Sequence, residues 1–285
     1  MATRGASPHN PLAVVVVSYR SAALLDACLK SVGRHLSDSQ VHVWDNHSEG
    51  TAEIRRLSQD YVNVDWHFSD ENVGFAAAVN RLADRSGRAD ILLLNPDAVL
   101  TSALTEARKL LREPRTAATS PLVLSSSAHR AWDIAHRTPG VIRSLTSLSG
   151  YAGALRGSPV SDLYRSPPSR VGYLTGACLL VSRQAWQDVG PFDERFFVYC
   201  EEVDWARRAR RRGWTLRLSR HTGFRHDSHG TMADSAAMAR RSNELLLQNQ
   251  RRYLDKYYGS TGVAAFALGS RLLSTVQRSK RESRA

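Results

Sequence analysis

Continuous apolar runs alternate with apolar positions at helical spacing over the first hundred residues. Residues 13–17 are apolar and mostly β-branched, which predicts a strand buried on both faces. After a candidate helix cap at Ser21, apolar residues recur at helical spacing from Leu24 to Val32 and predict a helix. The same patterns predict strands at residues 41–44, 62–68 and 91–94, and helices at residues 75–82 and 101–112. Because strands and helices alternate, the pattern favours an α/β fold with a mostly parallel sheet between helices.

The pattern is weak between residues 125 and 170, where Ser, Gly and Pro are frequent. We expect this stretch to be a long excursion over the surface rather than a separate domain. Regular patterns then return and predict strands at residues 177–181 and 214–218, and helices at residues 182–189, 201–212, 234–258 and 261–277. Ser182 is placed to cap the first of these helices, and Gly190 to end it.

The chain carries a large positive charge that is concentrated near its end. It has 285 residues with 39 Lys and Arg against 27 Asp and Glu, a formal charge of +12. From Arg240 onward, ten basic residues stand against three acidic ones. Such a region suits an anionic partner, and nucleic acid, acidic lipid headgroups and sugar nucleotides all qualify. A nucleic-acid-binding protein is disfavoured, because no binding module is recognisable and the aromatic residues do not interleave with the basic tail.

Composition excludes several other classes. A chain that is 42% hydrophobic and 23% charged is neither disordered nor a collagen-like fibre. No run approaches the roughly 18 to 20 apolar residues of a membrane span, and residues 1–10 lack the apolar core of a signal peptide. We therefore expect a cytoplasmic protein. The three cysteines, Cys28, Cys178 and Cys200, have no CxxC spacing and are expected to be packing residues rather than a disulfide framework or a zinc site.

Polar residues follow each predicted strand of the first half. In open α/β sheets, ligands bind beyond the carboxyl ends of the strands, so these residues are candidates for a site. The first strand is followed by no glycine, which disfavours a GxGxxG dinucleotide enzyme, and a P-loop is also absent. The candidates at the strand ends are Ser18, Tyr19, Asp45, Asn72, Gly74, Asn95 and Asp97. Arg20 and Asn46 also stand there, and no role is assigned to them from the sequence.

Four of these residues have two interpretations. Asp97 follows an apolar strand, where its carboxylate can bind a hard cation or close the strand as a turn former. Asp45 has the same alternatives of polar ligand site or turn. Asn72 and Gly74 make ordinary turns, and Gly74 would equally serve where backbone must approach a ligand.

Two further segments carry titratable groups. Glu201, Glu202 and Asp204 follow aromatic and apolar residues, where partial burial and mutual repulsion can raise a carboxyl pKa toward that of a general base. Acids at this place also stabilise a helix N-terminus, and both interpretations can hold at once. His226 and His229 are three residues apart after a strand and could ligate metal, although a single surface or hydrogen-bonded His is the simpler alternative.

Six motifs follow one another along the chain: VVVVSY at residues 14–19, WDNHS at 44–48, NVGFA at 72–76, LLNPD at 93–97, TGACLLV at 175–181 and the segment 190–205. In this order they resemble the family 2 inverting glycosyltransferases of the GT-A fold, and bacterial rhamnosyltransferases acting on polyprenyl-diphosphate-linked sugars in particular. The resemblance covers about residues 12–232. It implies a GT-A domain over residues 1–235, in which a Rossmann-like nucleotide-binding, mostly parallel central sheet is flanked by helices. The nucleotide-sugar half would occupy about residues 10–120 and the acceptor and catalytic half about residues 170–235, with a basic, helical C-terminal region at 236–285.

The resemblance also implies roles for individual residues. Ser18, Tyr19 and Asp45 would hold the nucleoside, with Asp45 facing the base, and a further set would complete the substrate site: Asn72, Gly74, Asn95, Gly176 and Ala177. Asp97 would be the last carboxylate of a DxD-type metal motif, with His226 approaching the Mg²⁺ or Mn²⁺ ion or the diphosphate. Glu202 would be the catalytic base, with Glu201 and Asp204 as the neighbouring alternatives. The sequence departs from the family in having a single acid at residues 95–97, and Glu201-Glu202 where Glu-Asp is usual.

The function that the resemblance implies is inverting transfer of rhamnose from dTDP-rhamnose to a lipid-linked saccharide in cell-envelope polysaccharide synthesis. UDP-galactofuranose or a UDP-hexose is an alternative donor, and a silent sugar-nucleotide binder is a further alternative. The C-terminal stretch 260–285 has the apolar and basic positions of a helix that either lies in an anionic membrane interface or packs on the core. Because the acceptor would be lipid-linked, we expect a peripheral enzyme at the inner face of the plasma membrane.

Overall fold

The computed structural model describes residues 11–47, 51–124, 130–149, 152–226 and 236–282. The first part of the chain alternates strands and helices: β1 (Leu12–Ser18), α1 (Ala22–His35), β2 (Gln40–Asp45), α2 (Thr51–Asp60), β3 (Asp65–Phe68), α3 (Phe75–Arg85) and β4 (Asp90–Leu94). All seven residues of β1 are buried, as its apolar run predicts, and β1 pairs in parallel with β2 and β4. The predicted alternation is therefore confirmed for this half.

The second part is more varied. Its elements are β5 (Ala98–Leu100), α4 (Thr105–Leu111), β6 (Thr116–Leu124), β7 (Ala135–His136), α5 (Val141–Leu148), β8 (Arg170–Val171), β9 (Tyr173–Leu174), β10 (Cys178–Val181), α6 (Arg183–Val189), α7 (Glu201–Arg211), β11 (Thr215–His226) and α8 (Ala236–Glu282). The predicted cap of α6 is confirmed, since the Ser182 side chain accepts a hydrogen bond from the Ala185 amide. Gly190 ends that helix with a φ of 85°.

One mixed sheet organises the described residues. Its strand order is β3-β2-β1-β4-β10-β6-β11-β5, and β8 pairs with β11. Strands β10, β5 and β8 run against the other six, so the sheet is mostly parallel as predicted. The carboxyl ends of β1, β2, β4 and β11 consequently meet at one edge.

Several elements differ from the sequence predictions. Strand β6 lies between β10 and β11 and was not predicted, because its small residues and Pro121 give no β-branched run. Its first six residues are nevertheless buried. Helix α2 also lacked a prediction. The predicted strand at 62–68 begins only at Asp65, since Val62 lies in a turn and is 82% exposed. Helix α4 starts at Thr105 rather than residue 101, after Leu104 in a left-handed conformation.

The weakly patterned stretch 125–170 is more ordered than predicted where the structure describes it. It contains α5, which packs against α8, and β7, which pairs with β9 in a second small sheet. The weak pattern therefore gave no sign of α5, which is an eight-residue amphipathic helix that packs on α8.

Helix α8 confirms the two helices predicted for the C-terminal region. Gly259 interrupts it with φ 54° and ψ −141°, a backbone conformation that glycine tolerates and other residues avoid. None of the described helices combines the length and apolarity that a membrane crossing requires. The three cysteines are free and buried, in agreement with their predicted packing role.

A buried carboxylate connects α7 to α8. Asp204 is 0% exposed. It accepts hydrogen bonds from Arg208 Nε at 2.8 Å, from Tyr257 Oη at 2.6 Å and from Lys256 Nζ. Beside this cluster lies a small apolar core formed by residues of α5, α7, α8 and the preceding loop: Leu148, Phe196, Cys200, Val203, Tyr253 and Leu254.

We predict that Asp204→Asn lowers the free energy of unfolding by about 3 kcal/mol, because removing one partner of a buried ion pair leaves the other charges uncompensated. Urea unfolding followed by circular dichroism measures the change. The matched control is Asp38→Asn, an exposed aspartate in the turn after α1, which should change stability by less than about 0.5 kcal/mol. Equal stabilities of the two variants would contradict the structural role of Asp204.

Candidate active site

A cavity of about 890 Å³ opens at the carboxyl edge of the sheet. Its wall is built from the ends of β1, β2, β4 and β11, the N-terminus of α7 and the first turns of α8. Ten of the residues proposed from the sequence line it: Tyr19, Asn72, Gly74, Asn95, Asp97, Gly176, Ala177, Glu201, Glu202 and His226. The fold thus brings together residues that lie more than 200 positions apart in the chain.

Ser18 and Asp45 lie behind this wall rather than in it. Both are 0% exposed, and they are register partners in the parallel pairing of β1 and β2. Ser18 Oγ lies 2.9 Å from Ser21 Oγ, at the start of α1. The residues that follow them, Tyr19 and Asn46, are the ones that line the cavity. Direct contact of Ser18 and Asp45 with a nucleoside stays a prediction.

Asn46 was not singled out from the sequence, yet it fixes one side of the cavity. Its Nδ2 donates to Asn72 Oδ1 at 2.8 Å, and its Oδ1 accepts from the Val73 amide at 2.9 Å. Asn72 Oδ1 also accepts from the Gly74 amide at 3.0 Å. These bonds attach the turn before α3 to the end of β2. The signal in the sequence was its place directly after a strand, the argument already applied to Asp45.

Gly74 permits a close backbone approach, and its neighbour in the structure is the segment that precedes α7. Its φ is 86°, and a Cβ at this position would lie 2.6 Å from the carbonyl oxygen of Phe197. The Phe75 amide donates to that same oxygen at 2.6 Å. Asn80 secures the approach from α3, because its side chain bonds the backbone of Phe192 in both directions. Side chains from the two halves of the chain are therefore held across one cavity.

Asp97 and His226 meet at the junction of β5 and β11. Asp97 Oδ1 and His226 Nε2 are 3.1 Å apart, and their side chains are 9% and 20% exposed. A carboxylate oxygen and an imidazole nitrogen facing the same cavity suit a divalent cation that takes its other ligands from a substrate. This pair fits the metal role that the resemblance implies. His229 lies outside the described residues.

A second His and Asp cluster lies on β2 and β3, outside the lining of the cavity. Asp65 Oδ2 is 2.9 Å from His42 Nδ1 and 3.1 Å from His67 Nε2, a grouping that could hold a metal ion. Burial opposes ionisation of Asp65, but the hydrogen bonds from His42 and His67 outweigh it and lower its pKa to about 2. The sequence analysis did not find this cluster, because its members belong to two strands and only their register brings them together.

The acidic segment begins with two residues in left-handed conformations. Tyr199 and Cys200 have φ values of 70° and 71°, which are uncommon outside glycine and turn the chain sharply into α7. Glu201 is buried and Glu202 half-buried at the cavity wall. Burial raises the pKa of Glu202 to about 7, and burial together with the Glu202 carboxyl raises the pKa of Glu201 well above its usual range. Among the described residues, no group hydrogen-bonds Oε2 of either side chain.

Asp204 does not lie at the cavity wall with Glu201 and Glu202. It does not line the cavity, and its two oxygens are already engaged by Arg208, Lys256 and Tyr257. Its geometry is that of a structural carboxylate, whereas Glu201 and Glu202 face the space in which a substrate would bind.

Three arginines that the sequence analysis did not propose also line the cavity: Arg20, Arg130 and Arg241. Their guanidinium groups bring positive charge to the cavity that Asp97 and His226 also line, which suits a diphosphate. Arg130 falls in the weakly patterned stretch, and Arg241 was counted with the basic tail. Only the folded arrangement places them together.

The family model for glycosyl transferase family 2 matches residues 13–190, which is more than half of the chain. The chain belongs to this family. A glycosyltransferase of this family is an enzyme that uses an activated sugar donor, in agreement with the prediction from the ordered motifs.

A curated relative supports this family 2 assignment, and solved structures show the fold. The chain is 32% identical to the N-acetylglucosaminyl-diphospho-decaprenol L-rhamnosyltransferase of Mycobacterium tuberculosis, over 79% of each chain. Among solved structures, the mannosyltransferase PcManGT of Pyrobaculum calidifontis, in complex with GDP-Man and Mn²⁺, has a TM-score of 0.59 at 14% identity, covering 95% of this chain and 76% of that one. GalNAc-T7 with UDP, GalNAc and Mn²⁺ has a TM-score of 0.55 at 13% identity, covering 87% and 51%. These structures are GT-A glycosyltransferases, and the likeness confirms the predicted fold.

We predict that Glu202→Gln stabilises this glycosyltransferase above neutral pH. Glu202 has a folded-state pKa of about 7, raised from 4.5, so the wild type loses stability relative to the variant as the pH rises from about 4.5 to about 7. Thermal unfolding at pH 5 and pH 8 measures the difference, which should be larger at pH 8. The control Glu53→Gln, on the exposed face of α2, should give the same small difference at both values. A pH-independent effect of Glu202→Gln would show that this carboxyl ionises normally.

Proposed function

We propose that this glycosyltransferase transfers rhamnose from dTDP-rhamnose to a lipid-linked saccharide acceptor, with inversion at the anomeric carbon, in the synthesis of a cell-envelope polysaccharide. The observation that carries the proposal is the 32% identity with a rhamnosyltransferase that acts on a decaprenyl-diphosphate-linked sugar, which extends over 79% of both chains. The cavity supports it, because its lining combines polar strand ends with two carboxyls whose pKa values are raised.

In this proposal, the donor lies along the carboxyl edge of the sheet. Tyr19, Asn72 and Asn95 contact the nucleoside and sugar, with Gly176 and Ala177 directly before β10, while Ser18 and Asp45 shape the nucleoside pocket from behind. Arg20, Arg130 and Arg241 bind the diphosphate. Asp97 and His226 hold Mg²⁺ or Mn²⁺, which when bound supplies positive charge to the departing nucleotide.

Glu202 is the base in the proposed reaction. Its carboxylate accepts the proton of the acceptor hydroxyl as that oxygen bonds to the anomeric carbon, and the bond to the nucleoside diphosphate breaks on the opposite face. A single displacement of this kind inverts the configuration and needs no second nucleophile, unlike retaining hydrolysis. A pKa of about 7 suits proton acceptance near neutral pH. Glu201, with its pKa raised well above its usual range, is better suited to hydrogen-bond donation.

A lipid-linked acceptor places the enzyme at the inner face of the plasma membrane. The part of α8 beyond Gly259 offers a surface for it, because Leu268 and Leu272 are one turn apart and 51% and 43% exposed. The same segment also packs on the core, since a Cβ on Gly269 would lie 2.9 Å from Leu148 Cβ. The structure thus shows packing of this segment on the core, and Leu268 and Leu272 are the exposed positions through which we propose that it contacts a membrane.

We predict that the protein consumes dTDP-rhamnose when it is offered a panel of nucleotide sugars without acceptor, since transferases slowly pass the sugar to water. Release of the nucleoside diphosphate is measured with Mg²⁺, with Mn²⁺ and with chelator, and chelator should slow it at least tenfold. Preference for UDP-galactofuranose or a UDP-hexose would replace the donor. Activity indifferent to chelator would remove Asp97 and His226 from metal binding, and no turnover on any donor would indicate a silent binder.

We predict that Glu202→Gln lowers transfer at least a thousandfold while nucleotide affinity changes by less than threefold, because the amide fills the same space but cannot accept a proton. Wild-type activity should fall as the pH drops below about 7, when Glu202 becomes protonated. The matched variant Glu201→Gln should retain more activity. If Glu202→Gln stayed active while Glu201→Gln did not, the base would be assigned to the wrong residue of the pair.

A further inference from the structure

Two adjoining cavities of about 520 and 350 Å³ form a cleft at the C-terminal end of α7. We call it the arginine cleft, and its two parts share Thr138, Arg143 and Arg210. In the part of the chain that the structure describes, no residue lines both the cleft and the 890 Å³ cavity. Arg210 is eight residues along α7 from Glu202, a separation of about 12 Å at 1.5 Å per residue. The cleft is therefore a feature separate from the candidate active site.

The lining of the cleft is strongly basic. Six arginines face it, from α5, α7, β8 and the loop between β7 and α5: Arg137, Arg143, Arg170, Arg207, Arg210 and Arg211. Among the described residues, no Asp or Glu lines either part. Within the described part of the chain, none of the six forms an ion pair with a carboxylate. The positive charge of the cleft is consequently uncompensated by its own lining.

Neutral groups hold several of these side chains in place. Arg137 Nη1 donates to the Ser158 carbonyl at 2.6 Å, and its guanidinium lies 4.8 Å from the centre of the Tyr164 ring. Arg143 donates to the carbonyls of Pro159 at 2.9 Å and Thr138 at 3.1 Å.

Neutral groups also hold two further arginines of the cleft. Arg210 donates to the Thr138 hydroxyl, and Arg207 donates to the hydroxyls of Tyr253 and Tyr258. Carbonyl, hydroxyl and ring acceptors orient a guanidinium without neutralising it, and each guanidinium has five N–H donors, of which these bonds use only a part. Such an arrangement is suited to bidentate binding of phosphoryl oxygens.

The surroundings of the cleft favour a lipid as the source of the phosphoryl group. Ile142, next to Arg143 on α5, is 62% exposed, and the helix that packs on α5 exposes Leu268 and Leu272. Exposed apolar side chains beside arginines match a bilayer interface, where apolar groups enter the acyl boundary and basic groups lie at the level of the phosphates. We propose that the arginine cleft binds the phosphoryl headgroups of anionic phospholipids. The choice of a lipid over another phosphate compound rests on the proposed lipid-linked acceptor. The basic lining of the cleft is observed independently of that proposal.

Vesicle sedimentation tests the proposal with the full-length protein and phosphatidylcholine vesicles containing phosphatidylglycerol. Arg143→Gln/Arg210→Gln should bind these vesicles at least tenfold more weakly than the wild type. The matched control, Arg34→Gln/Arg56→Gln, removes the same charge from exposed positions on α1 and α2 and should stay within threefold of the wild type. Donor hydrolysis should be unchanged in all of these proteins, so failure of the cleft proposal is distinguishable from failure of the proposed function.

A second variant distinguishes lost lipid contacts from misfolding. Arg170→Gln/Arg211→Gln changes two exposed side chains of the cleft and should also weaken vesicle binding at least tenfold, with an unchanged circular dichroism spectrum. Equal losses in the cleft variants and the control would overturn the proposal, because net charge alone would then explain binding. Binding of inorganic phosphate as tight as that of dihexanoyl-phosphatidylglycerol, measured by calorimetry, would overturn the lipid as its ligand.

Discussion

The buried charge of Asp204 is the constraint on which the placement of the candidate base depends. A fully buried carboxylate needs opposite charge and hydrogen bonds, and Asp204 obtains them from Arg208 on its own helix and from Lys256 and Tyr257 on α8. Because Asp204 follows Glu202 by two residues, the same cluster that attaches α7 to α8 also sets where Glu202 enters the cavity. The left-handed turn at Tyr199 and Cys200 directs the chain into that position, and surrounding contacts hold it.

Much of the fold was predictable because local pattern and tertiary environment agree. Residues 13–17 are apolar because β1 is central in the sheet, and Gly259 stands where the C-terminal helix breaks. Strand β6 was not predictable in this way. Its two Thr residues favour a strand, but the Ala, Ser and Pro residues between and after them do not, and pairing with β10 and β11 makes the segment a strand.

The candidate site shows a similar division. Residues at strand ends, such as Asn72 and Asp97, could be proposed from the sequence because a parallel sheet collects such positions at one edge. The sequence could not separate Glu202 from Asp204, since both are acids of one helix turn and only burial and partners distinguish them. Arg130 carried no local signal at all, because it reaches the cavity through the path of an irregular segment.

The interruption at Gly259 has a mechanical consequence. As one unbroken rod, 47 helical residues would form a lever of about 70 Å, with Lys256 and Tyr257 fixed near its middle. Any load applied to the far end would then act as a torque on Asp204 and, through α7, on the carboxyls of the cavity. Gly259, two residues after Tyr257, acts as a pivot because its backbone conformation is not helical. The rigid helix therefore ends close to the residues that anchor it to α7. Beyond the pivot, the outer half of α8 rests on α5 where Gly269 meets Leu148, so a load applied there is borne by side-chain packing rather than by a continuous helical backbone.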